Sequence, residues 1–132
     1  MDTADFLAIF DAEHEALVAA CELAGPEASV PGCPGWTVAD LLYHLDEVQY
    51  GWNRVTTERR SGVEGLNWPA RPSDAHLPAL LRGEHVGYSA MLRSFPADTP
   101  ISTWAGQQDF AWLARRMAHE AAVHRVDAQQ AA

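Results

Sequence analysis

Apolar residues recur at helical spacing in four separate segments of this chain, and the gaps between them are rich in proline and glycine. That pattern constrains the fold more than any other feature. The first segment runs roughly from Thr3 to Leu23, carries Leu7, Phe10, Leu17 and Cys21 on one stripe with His14 in line, and stops before Gly25-Pro26. Two prolines and two glycines then occupy Val30–Trp36, which fixes that stretch as a shaped loop. The second helix opens on a strong signal. Thr37 stands at the N-cap with Asp40 three residues on, and Trp36 and Leu41 are spaced as a hydrophobic staple. Its stripe runs through Val38, Leu41, Leu45, Val48, Trp52 and Val55 to about Arg60.

A Gly-, Pro- and Asn-containing loop follows over Ser61–Pro72. The third helix begins near Ser73 or Pro78 and is expected to bury Leu81, Tyr88, Leu92 and Phe95. Pro96, Pro100 and Gly106 interrupt the next connection, and the fourth helix is expected from near Gln107 almost to the end, through Phe110, Leu113, Met117, Ala121 and Ala128. Period-two alternation is nowhere sustained, which argues against sheet. Four such helices in 132 residues imply an all-α, four-helix bundle, expected as a single domain over residues 1–132.

Composition narrows the partners. Nine basic residues, all arginine, against eighteen acidic ones give a net charge of −9. An acidic chain without a basic cluster is a poor ligand for nucleic acid or anionic membrane. The apolar runs are far short of the roughly 20 residues of a membrane span. The acidic start, Met1-Asp2-Thr3-Ala4-Asp5, lacks the charge pattern of a secretory or transit segment, so a cytoplasmic location is expected. Cys21 and Cys33 are too few for a disulfide framework and are expected as reduced thiols, Cys33 as a packing residue.

The informative residues are polar groups that fall on apolar stripes. Glu120 and His124 lie four apart on the fourth helix, in step with Leu113, Met117 and Ala128. On the second helix His44 lies between Leu41 and Val48, pointing inward or nearly so. A buried carboxylate needs a partner, and bundle cores commonly supply metal ligands from facing helices. Two histidines and one carboxylate fit catalytic zinc with an open position, and equally a 2-His-1-carboxylate iron(II) centre. The competing reading is a buried Glu–His hydrogen bond, or a face turned to Arg116 or Arg125. His14 is expected as a hydrogen-bonded core histidine, with a place near the metal as the alternative. Glu84 and His85 are expected at the surface, and His119 and His76 outside the site. Trp36 and Trp104 are candidates for a pocket mouth, and Arg115 or Arg116 for an anionic substrate.

Two stretches together carry a resemblance. Cys33-Pro34-Gly35-Trp36-Thr37-Val38-Ala39-Asp40-Leu41-Leu42-Tyr43-His44-Leu45 and Trp112-Leu113-Ala114-Arg115-Arg116-Met117-Ala118-His119-Glu120-Ala121-Ala122-Val123-His124-Arg125-Val126-Asp127-Ala128 resemble the N-terminal domain of mycothiol-dependent maleylpyruvate isomerases, within the DinB-like superfamily. The resemblance implies a DinB-like four-helix bundle holding a divalent metal on His44, Glu120 and His124, with zinc as the first expectation and iron(II) or nickel(II) as alternatives. It also implies a low-molecular-weight thiol cofactor such as mycothiol and a small-molecule substrate. The activity expected is thiol transfer to, or thiol-assisted isomerisation of, a small electrophile. The alternatives are a thiol-independent metal-dependent hydrolase and a non-catalytic, metal-stabilised binding module. Many members of that family continue into a second domain that helps build the substrate pocket. This chain ends at Ala132, so the expectation is a minimal relative or one domain of a longer protein, its pocket completed by a neighbouring chain, as in a homodimer.

Overall fold

The computed structural model describes residues 1–132. Its elements are α1 (Thr3–Ala24), α2 (Val38–Thr57), α3 (Leu77–Ser94), strands β1 (Pro100–Thr103) and β2 (Gly106–Asp109), and α4 (Phe110–Ala131). The expected all-α four-helix bundle is therefore the architecture, with one small sheet added. α1, α2 and α4 each start at a side chain that satisfies free N–H groups of the first turn, and α3 continues from a short 3-10 turn over Asp74–His76. α1 opens on a reciprocal capping box between Asp2 and Asp5. α2 opens on the expected one, Thr37 N donating to Asp40 at 2.9 Å and Asp40 N to Thr37 Oγ1 at 3.2 Å.

α1 lies along α4 over most of its length, and α3 packs on α1 and α2. Leu77, Leu81, His85, Tyr88 and Leu92 give α3 its buried stripe at steps of three and four. The core falls into two clusters. One joins Leu17, Val18 and Cys21 to Val38, Leu41, Leu42, Leu45, Leu77 and Leu81. The other joins Leu7 and Phe10 to Tyr88, Leu92, Phe110, Leu113, Met117 and Ala121.

The sheet corrects one expectation. Pro100 pairs with Asp109 and Thr103 with Gly106 in an antiparallel hairpin whose tip is Trp104-Ala105. Gly106 adopts φ +85°, which a side chain resists, and Thr103 Oγ1 donates to Gly106 O at 2.7 Å. The hairpin delays α4 to Phe110, three residues later than expected, because Gln107 and Gln108 are committed to the strand pair and Asp109 caps the helix by accepting from Trp112 N at 2.8 Å. Phe95 is a second correction. It leaves α3 at the cap, remains 36% exposed and stacks on Phe110 at 4.7 Å.

Candidate metal centre

His44 is carried by the first half of α2 and Glu120 and His124 by the second half of α4, so the site closes between two helices. His44 Nε2 and His124 Nε2 each lie 3.2 Å from Glu120 Oε1. The two imidazoles stand 5.1 Å apart at 75°, and one donor atom from each of the three residues falls within 4.8 Å of the others. Two donors at about 2.0–2.1 Å from a tetrahedral ion stand roughly 3.3 Å apart, so both N–O separations match a shared cation. Without an ion the same three groups pair with one another. Hydrogen bonds from His124 and then His44 hold the Glu120 carboxyl well below the usual carboxylate range, against the opposing effect of burial. Glu120 in turn raises His124 above the ordinary imidazole value, with Asp127 adding to it.

Asp127 is the residue that sequence reasoning did not assign. Its Oδ2 lies 2.9 Å from His124 Nδ1, and a carboxylate there fixes the tautomer that leaves Nε2 free to bind. The signal was present, since Asp127 is three residues after His124 on the same helix face. The Val30–Trp36 loop folds over this pair. Val30 N donates to Trp36 O and Trp36 N to Cys33 O, both at 3.0 Å, which closes the loop on itself. Gly32 is required by proximity, because a Cβ there would run into the Asp127 carboxylate. Cys33 is more than packing. Its thiol lies 3.6 Å from Asp127 Oδ2, and partial burial together with that carboxylate pushes it up, so it stays protonated and is a poor nucleophile. Cys33, His124 and Asp127 form a second close cluster of donor atoms that shares His124 with the first. Trp36 covers the other side, its ring 5.2 Å from that of His44.

The remaining candidates separate cleanly. His14 is buried, as expected, but lies outside the ligand set. It makes no hydrogen bond through Nε2; instead it stacks on His85 at 4.0 Å and 21°. His85 was expected at the surface and is buried, because its Nε2 meets Asp11 at 2.7 Å and its ring packs on Phe10 at 4.5 Å. Asp11 is further held by Ser89 and Arg93. Glu84 stays at the surface, where desolvation and the neighbouring Asp46 push it up to about 8. His76 and His119 are exposed.

Glu120 and His44 line an open cleft of about 220 Å³ together with Val48, Trp52, Trp104, Arg116 and Met117. A family model described as the mycothiol maleylpyruvate isomerase N-terminal domain matches residues 7–129. The chain belongs to that family. Comparison with curated proteins and with solved structures gives no match. Membership in the mycothiol maleylpyruvate isomerase N-terminal domain family covers all four helices, including both segments that form the site. No helix is long and apolar enough to cross a membrane.

Proposed function

We propose that this protein is a metal-dependent enzyme in which His44, Glu120 and His124 hold a divalent ion, zinc first among the candidates, and that it transfers a mycothiol-type thiol to a small electrophile or isomerises an unsaturated substrate with the thiol's help. One observation carries the reading. Two imidazole nitrogens converge at 3.2 Å on one oxygen of Glu120, a carboxylate that lines a cleft. The family match supports the association with mycothiol.

When bound, such an ion supplies a Lewis acid that keeps a coordinated thiol as thiolate at neutral pH. The protein's own residues do the rest. Asp127 accepts from His124 Nδ1 and so orients its ring. Trp36 shields the outer face of His44. Neither cysteine competes for the role of nucleophile, since Cys33 is held as a thiol and burial pushes Cys21 up to about 12. His14 is engaged with His85 and does not complete a four-residue shell, which disfavours a purely structural ion.

The test is metal content and turnover together. Protein purified without a metal-binding tag is expected to carry close to one divalent ion per chain, and Glu120→Ala and His124→Ala to lose it. Turnover of electrophilic substrates should then require both metal and added thiol. Metal-dependent turnover that ignores thiol selects hydrolysis instead. A folded protein that holds no divalent metal, even after incubation with zinc, ends the enzyme reading.

A further inference from the structure

The concave surface does not end at the cleft over Glu120. Val48, Trp52 and Trp104 also line an adjoining trough of about 320 Å³, with Gly51 and Val55 of α2 and Ser102 and Thr103 of the hairpin. Gly51 keeps that trough's wall compact. It lies mid-helix, where glycine costs about 1 kcal/mol relative to alanine, and a Cβ there would come within 3.2 Å of Trp68. Trp52, Trp104 and Trp112 meet one another at ring separations of 5.4–5.9 Å. They come from α2, the hairpin tip and α4, and Trp104 remains 69% exposed.

Charge along this surface is uneven. Arg54, Arg60, Arg71, Arg82, Arg93 and Arg125 are ion-paired. Arg59, Arg115 and Arg116 are not, and of these Arg116 lines the cleft beside Glu120 and His44. Its guanidinium lies over the Trp104 ring, 5.1 Å from the centroid. That contact uses the flat face of the group and leaves its N–H edge available to an anion. Glu47 and Glu64 line the trough without a cationic partner.

We propose that Arg116 and the three tryptophans form the substrate-recognition subsite of this cleft, selecting a flat, apolar or aromatic molecule that carries a single carboxylate. The carboxylate sits on Arg116, and the unsaturated or aromatic body lies against Trp52 and Trp104. The body points along the trough, where Glu47 and Glu64 repel a second negative charge. This subsite deepens the proposed function and rests on it for the position of the reacting atom.

The experiment is a binding titration, followed by tryptophan fluorescence and calorimetry, on zinc-loaded and zinc-free protein. The probes are trans-cinnamate, neutral cinnamyl alcohol and the dianion 4-carboxycinnamate. Cinnamate is expected to bind both protein forms, and the other two at least about tenfold more weakly, the effect of one charge-assisted contact. Arg116→Gln should erase the preference for cinnamate over the alcohol. Trp52→Leu should weaken all three. Equal binding of cinnamate and the alcohol, or an unchanged preference in Arg116→Gln, overturns the subsite. Cinnamate binding that vanishes with zinc and ignores Arg116 also overturns it, because the carboxylate then sits on the metal. A protein that retains no zinc yet binds cinnamate through Arg116 sinks the metal reading and leaves the subsite standing.

Discussion

Asp127 holds His124 through one hydrogen bond, and Gly32 leaves the space in which it does so. Both can be altered without touching a proposed ligand. Asp127→Asn is expected to lower zinc affinity roughly 10- to 100-fold, the usual cost of losing such a partner, with helix content unchanged. Gly32→Ala should act in the same direction by displacing the Asp127 carboxylate. Competition against a chelator of known affinity reads both, and unchanged affinity in both variants would remove Asp127 from the site. His14 makes a different residue-scale prediction. Burial, then the neighbouring His85, lowers it from 6.5 to about 3 in the folded chain. The unfolded chain therefore takes up the proton first as pH falls. The His14 contribution to stability is complete well above pH 6.5 and is lost progressively as pH falls through that value, by about 2 kcal/mol down to pH 5. His85 is lowered too and adds to the same trend. Chemical denaturation of metal-free protein across this range, with His14→Phe as the flattened control, measures the slope.

At the scale of elements, the capping box at Thr37 sets where α2 begins and hence where His44 stands in its second turn. Thr37→Ala is expected to cost about 1 kcal/mol, read from the urea midpoint. Helices were legible in the sequence as apolar stripes between breakers, and α2 most sharply because its stripe begins at a cap. Thr37, Asp40 and Leu41 announce α2 before any neighbour is known. The hairpin was not legible. Its four-residue strands bury one side chain, Ile101, so no alternation could register. His44, Glu120 and His124 were legible as polar interruptions of apolar stripes. His85 was not, since what buries it is a contact with Asp11 from a different helix, 74 residues away. Arg116 was legible as a charge but not as an unpaired one, because pairing is decided by tertiary neighbours.

For the whole molecule, the arrangement of helices decides what a bound cation stabilises. α1 and α4 adhere along their length, whereas α2 and α4 touch each other over a short stretch only. Zinc at a thousandfold excess over its dissociation constant should add about 4 kcal/mol to unfolding, visible as a concentration-dependent rise in melting temperature. The metal-free chain should remain helical, since both apolar clusters close without the site. His44 on one side and Glu120 with His124 on the other make the ion a strut across the weakest seam of the bundle. Chelation should therefore act as an unfastening rather than a melting. Amide hydrogen exchange is expected to quicken in α2 and at the hairpin tip while α1 and the adjoining face of α4 keep their protection.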